Sequence, residues 1–132
     1  MIVIDASALT AFILREEKWS ELSSYMYRAV SVDNVVKEVS NAIWKAFYIR
    51  KYLSAEDAFS ALEVLKMLVD KNLILYQSFN YLAKAFDISI EHGITLYDSV
   101  YIALALSEGA QLLTLDEKQA NVAKSLGIRV LP

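Results

Sequence analysis

The stretch from Thr95 to Asp116, TLYDSVYIALALSEGAQLLTLD, constrains the fold more than any other part of the chain. From Val100 to Leu106 it is almost wholly apolar, so a helix there has no face to give to water and must be buried. Gly109 follows as a stop signal, and Gln111–Leu115 reads as an apolar strand that delivers Asp116. A buried helix feeding a buried strand belongs in a layered α/β protein. An acid stands at each end of the unit: Asp98 opens the helix and Asp116 ends the strand.

The rest of the chain repeats this alternation. Ile2–Ile4, Val30–Val32, Leu73–Tyr76 and Ile128–Leu131 are further short apolar runs of strand length. Between them lie segments of helical spacing. The first carries Ala8, Leu9, Phe12 and Ile13, the second Trp19, Leu22, Met26, Ala29 and Val30. A third helix from about Val35 to Tyr52 turns Val36, Val39, Ile43, Ala46 and Phe47 to one side. Lys37, Glu38, Asn41, Lys45 and Tyr48 fall on the other. Ser54 and Asp57 make a capping-box start for a fourth helix, which buries Ala58, Ala61, Leu62, Leu65, Leu68 and Val69. Phe79, Leu82, Ala83, Phe86 and Ile90 mark a fifth that stops near Gly93, and Ala120, Ala123 and Leu126 a last one before Gly127. Short strands alternating with about seven helices predict a parallel sheet covered on both faces, in a single domain over residues 1–132. Right-handed crossovers then bring the carboxyl ends of the strands to one edge.

Composition narrows the class. There is no cysteine, so neither a disulfide framework nor a thiolate site is available. No apolar run reaches the roughly 18 residues of a membrane span, and MIVIDAS lacks the basic start of a signal peptide. A cytoplasmic protein with no membrane segment is expected. The net charge of −3 argues at first against nucleic acid, but four acids gathered in one site would contribute −4 of it. The remainder, −3 + 4 = +1, leaves an RNA substrate open.

Asp5 follows the first strand as Asp116 follows the fourth, and Glu38 lies one helical turn beyond the second. Each acid has a plain alternative. Asp5 fits a helix N-cap, and Asp116 with Gln119, like Thr95 with Asp98, fits a capping box. Glu38 could pair with Asn41 or with the positive end of its own helix. The joint pattern favours convergence on one edge. Two carboxylates about 4 Å apart repel by roughly 4 kcal/mol at an effective dielectric near 20. Four together therefore need protons or a cation. With His92 standing alone and no cysteine, that cation would be hard, magnesium or manganese. Such a site suits phosphoryl chemistry with water as nucleophile, since Ser7 and Ser99 have no histidine nearby in sequence to act as base. Ser7, Asn41 and Thr114 could support the carboxylates by hydrogen bonds.

At these residues the sequence resembles the PIN-domain ribonucleases, most closely the VapC toxins of toxin–antitoxin pairs. The matching segments are IVIDASAL, VVKEVSNAIWK, HGITLYDSVYIALALSEGAQLLTLDEK and SLGIRVL, in order along the whole chain. The resemblance implies a PIN-like fold with a five-stranded parallel sheet in the order 3-2-1-4-5, and a homodimer. It implies magnesium- or manganese-dependent endonucleolytic cleavage of RNA, leaving a 5′-phosphate and a 3′-hydroxyl. Asp5, Glu38, Asp98 and Asp116 match the family's catalytic and metal-holding acids, and Ser7, Asn41 and Thr114 its supporting polar positions. A VapB-like antitoxin would lie across the early helices and insert a basic side chain near the acids.

Trp44 to Tyr52 mixes bases and rings, which suits RNA contact, core packing of Phe47 beneath an amphipathic surface, or a groove for a partner peptide. On the first of these readings Lys37 and Lys45 meet the RNA. Two alternatives to a toxin stay open: an RNA-processing PIN nuclease without an antitoxin, and a non-catalytic PIN-like interaction module. A receiver domain would need paired acids after the first strand, and a dehalogenase-type phosphatase a second aspartate where Ser7 stands; the chain has neither.

Overall fold

Ile2, Val3 and Ile4 are all buried, and the strand they form occupies the middle of the molecule. β-Branched residues with no polar neighbour suit a strand covered on both faces. In the computed structural model, which describes residues 1–132, this strand is β1 (Ile2–Ile4). The others are β2 (Ala29–Val32), β3 (Ile74–Tyr76), β4 (Gln111–Leu113) and β5 (Val130–Leu131). All pairs are parallel, in the order β3-β2-β1-β4-β5. Val3 stands opposite Val30 on one side and Leu112 on the other. The sheet is the one expected, in the expected order.

Seven α-helices connect the strands: α1 (Ala6–Ile13), α2 (Trp19–Ser23), α3 (Val35–Tyr48), α4 (Ala55–Lys71), α5 (Leu82–His92), α6 (Leu96–Glu108) and α7 (Glu117–Ser125). None is long and apolar enough to cross a membrane. Helix α6 is the buried one, with every residue from Ser99 to Ala105 out of solvent. Its one deeply placed hydroxyl is satisfied: Ser99 Oγ bonds Leu96 O at 3.1 Å and Ser89 Oγ at 2.6 Å, tying α6 to α5. Gly109 closes the helix in the left-handed conformation, φ 61°, and the chain enters β4 two residues later.

Several details depart from the expectations above, among them the start of β5 at Val130 and not Ile128. The helical spacing from Trp19 to Val30 resolves into the short α2, a 3-10 turn over Met26–Arg28, and β2. Ala29 and Val30 are taken by the sheet, where they pair with Ile2 and Val3 of β1 and are buried. Helix α3 ends at Tyr48 and not Tyr52, where Lys51 turns the chain with φ 58°. Strand β4 ends at Leu113, and Leu115 is exposed. The apolar stripe that marked the fifth helix faces outward: Phe79, in a 3-10 turn, is 80% exposed, and Phe86 and Ile90 on α5 are 57% and 72% exposed. Ala85 and Ile88 form the inward face instead, and the small Ala85 lets α5 approach α6 closely.

These two kinds of apolar residue should respond differently to truncation. Leu104→Ala, at a fully buried position of α6, is expected to cost about 2–5 kcal/mol in urea unfolding. Phe86→Ala on the outer stripe should stay within about 0.5 kcal/mol for the isolated chain.

Candidate active site

The site begins where β1 runs out. Asp5 N–H still bonds across to Leu113 O at 3.1 Å, so the residue is held to β4 although it lies past the strand. Its carboxylate then caps α1, accepting Ala8 N–H at 2.9 Å. Only 1% of Asp5 is exposed, and the burial is made tolerable by two hydroxyls. Ser7 Oγ donates to the carboxylate at 2.7 Å, and Thr114 Oγ1 donates to Oδ2 at 2.5 Å.

Thr114 and Ser7 also fix the fourth acid. Thr114 Oγ1 accepts the Asp116 N–H at 3.0 Å while Ser7 Oγ accepts the Leu115 N–H at 3.0 Å. Thus the turn after β4 is sewn to the turn after β1. Asp116 caps α7 by accepting Gln119 N–H at 2.9 Å. The buried Gln119 side chain reaches over to α6 and donates to Asp98 O at 3.2 Å. Asp98 lies in the first turn of α6, whose cap is Thr95, accepting Asp98 N–H at 3.3 Å. The capping reading therefore holds for Asp5 and Asp116 and does not compete with a site; it gives their carboxylates a direction.

Glu38 enters from α3. Asn34 Nδ2 and Tyr101 Oη both donate to the same oxygen, Oε2, the latter at 2.5 Å. Tyr101 is buried on α6 one turn after Asp98, so one helix carries one acid and holds another.

The four carboxylates feel one another. Burial pushes Asp5 up to about 6 against the bonds from Thr114, Ala8 and Ser7, and the charge of Asp116 adds to the rise. Burial also raises Glu38, against the Tyr101 and Asn34 bonds, with the charge of Asp98 adding to it. Asp98 is raised by burial and by Asp116. As they stand, no three acidic or histidine side chains close to a ready cage for an ion. The donor set is nonetheless one a hard cation favours: carboxylate oxygens only, partly desolvated and mutually repelling. Asp5, Glu38, Asp98 and Asp116 could hold one.

Beside the acids opens a cleft of about 500 Å³. Ser7, Glu38, Asn41, Lys45 and Arg50 are on its wall. Asn41 is exposed there, with no carboxylate bonded to it, and Lys37 is exposed outside the lining. His92 is the last residue of α5. Three further residues shape the site without having stood out in the sequence. Asn34 is spaced i, i+4 from Glu38, a legible pairing signal. Tyr101 hides among the apolar residues of α6, and Gln119 looks like no more than half of a cap.

The strand order and the acids gathered at the carboxyl edge define a class, and the sequence comparison agrees. The family model described as "PIN domain" matches residues 2–125, and the chain belongs to that family. Among its relatives is Ribonuclease VapC3 of Pyrobaculum aerophilum, 38% identical over 128 residues, spanning 90% of this chain and 92% of the relative. Exonuclease VapC9 of the same organism is 28% identical over 116 residues, 88% of this chain and 80% of that one. The crystal structure of PAE2754 from Pyrobaculum aerophilum superposes with a TM-score of 0.73 at 26% identity, over 98% of this chain and 89% of that one. FitAcB from Neisseria gonorrhoeae shares the fold at 15% identity, with a TM-score of 0.65 over 100% of this chain and 97% of its own.

The raised carboxylates predict a pH dependence with a definite sign. An Asp5 that titrates near 6 when folded and near 3.8 when unfolded keeps its proton longer in the folded state. Its contribution to stability is complete below about pH 4 and is lost as pH rises through 6, a fall on the order of 2–3 kcal/mol. In chelator, thermal melts should show wild type losing stability over that range. Asp5→Asn should flatten the slope and melt higher than wild type at pH 7. Added magnesium or manganese should raise the wild-type melting temperature at pH 7 and leave the variant nearly unmoved.

Proposed function

We propose that this protein is a metal-dependent endoribonuclease and the toxin of a VapBC-type toxin–antitoxin pair. The observation that carries the reading is the coupling of four carboxylates at the carboxyl edge of the sheet, two of them sewn together through Thr114 and Ser7. The PIN-domain match and the relative called a ribonuclease support it. Magnesium or manganese would be held by Asp5, Asp98 and Asp116 with Glu38, lowering the pKa of water and offsetting charge on the phosphate.

The chain's own residues do the positioning. Thr114 and Ser7 fix the direction of Asp5 and the turn that carries Asp116. Tyr101 and Asn34 occupy one oxygen of Glu38, leaving the other for water or cation. Gln119 holds α7 against the first turn of α6, and so sets Asp116 relative to Asp98. Asn41 supports the site from the cleft wall. Lys45 on that wall and Lys37 beyond it meet the RNA backbone. Hydrolysis leaves a 5′-phosphate and a 3′-hydroxyl.

The partners follow the same reading. The protein is one PIN domain acting in the cytoplasm, with no membrane partner. A VapB-like antitoxin covers the early helices and sends a basic side chain toward the acids. A second copy covers the outward stripe of Phe79, Phe86 and Ile90, whose exposure supports a homodimer.

One assay separates the possibilities. With magnesium or manganese the protein should linearise a circular single-stranded RNA, and chelator or Asp98→Asn should reduce cleavage to background while the fold persists by circular dichroism. Cleavage of linear RNA alone would replace this reading with end-directed hydrolysis, as the name of the second relative suggests. Full activity of Asp98→Asn would overturn the assignment of the site.

A further inference from the structure

The cleft does not stop at the acids. Ser7 and Glu38 form one part of its wall, and Lys45 and Arg50 another. Glu38 and Lys45 are two helical turns apart on α3, roughly 10 Å along its axis. A strand of RNA whose cleaved phosphate sits at the acids would pass its neighbouring phosphates along that wall.

The backbone around this end is unusual. Arg15, φ 53°, and Lys51, φ 58°, are the two non-glycine residues with positive φ in the chain. Left-handed backbone is unfavourable for such a residue, and strain of this kind collects where a side chain must be aimed. Arg15 immediately precedes Glu16, and Lys51 stands between Arg50 and Tyr52; Glu16, Arg50 and Tyr52 all line the cleft. Tyr52 Oη donates to Glu16 Oε2 across a long 3.5 Å, linking the two turns. Arg50 N–H bonds Lys45 O at 2.9 Å and Tyr52 N–H bonds Ala46 O at 3.1 Å, so the Arg50 backbone is held against the end of α3. Attraction of bases to a helix C-terminus accounts for a lysine near this end. It does not account for two strained turns meeting at one cleft.

We propose that Lys45 and Arg50 form a phosphate-holding subsite for single-stranded RNA, set along the cleft from the acids. The proposal rests on the nuclease reading above. The guanidinium of Arg50 offers a fork that matches phosphate oxygens, and Lys45 adds a point charge on the same wall. Glu16 opposes them from the rim. Its carboxylate weakens phosphate binding, and its bond from Tyr52 draws it toward the turn.

Binding measured without cleavage tests this. A fluorescently labelled oligouridylate is titrated by anisotropy into the Asp98→Asn protein over a series of potassium chloride concentrations in chelator. Adding Lys45→Gln or Arg50→Gln should weaken binding several-fold and reduce the slope of log affinity against log salt by about 0.7 for each phosphate that is no longer neutralised. Glu16→Gln should tighten binding, and Lys66→Gln on the outer side of α4 should leave the slope unchanged. Thermal melts establish that each variant is folded. An unchanged slope in both the Lys45 and Arg50 variants overturns the subsite, whatever else the cleft accepts, an acidic peptide included. The nuclease reading fails separately. If wild type cuts no RNA but binding keeps its dependence on Arg50, the subsite stands without the chemistry. If wild type cuts RNA and the Arg50 variant keeps its KM and salt slope, only the subsite falls.

Discussion

A carboxylate with almost no exposure to water sits at the end of the central strand, and the arrangement around it exists to make that tolerable. Asp5 is buried because β1 is flanked on both sides and covered on both faces. A negative group there costs several kcal/mol unless hydrogen bonds or an opposite charge repay it. The chain supplies hydroxyls from Ser7 and Thr114 and the N–H of Ala8, and even these leave Asp5 titrating near 6. The shortfall in stabilisation is what a cation would make up. A protein that only needed a helix cap could have used an exposed serine.

The order of the elements is legible in the sequence because the apolar runs are short, unbroken and well separated. β1, β4 and α6 contain so little polarity that only burial fits them. The outer elements are harder to read. Phe79, Phe86 and Ile90 recur at helical spacing, and spacing alone cannot say whether a stripe meets this chain's core or another surface. The stretch after Trp19 looks helical since Leu22, Met26 and Ala29 share a face in that conformation, while hydrogen bonding to β1 settles the matter for Ala29 and Val30. The end of α3 is hard to place for a related reason. Lys51 is an ordinary helix former, and nothing in its identity announces a left-handed turn.

The candidate site divides along the same line. The four acids, with Ser7 and Thr114, can be read because each follows a strand or opens a helix within a few residues. Tyr101 cannot. In sequence it is one more large residue on a buried helix, and its polar end matters only once α3 brings Glu38 alongside. Residues that act through a partner from a distant part of the chain leave no local signature. Asn34 is the exception, since its partner is one helical turn away.

The double use of the Thr114 hydroxyl carries a consequence for how this protein can vary. It donates a hydrogen bond to Asp5 and accepts one from the N–H of Asp116, so the spacing from Thr114 to Asp116 is fixed by a single oxygen atom. Ser7 imposes the same restriction from the other turn. Loop growth near the acids is therefore closed to the chain as a route to new specificity, since one added residue would part the carboxylates. Novelty has to come from farther along the cleft, in the segment before α2 and the link between α3 and α4. There the backbone can lengthen or bend without disturbing a bond to Asp5, Glu38, Asp98 or Asp116.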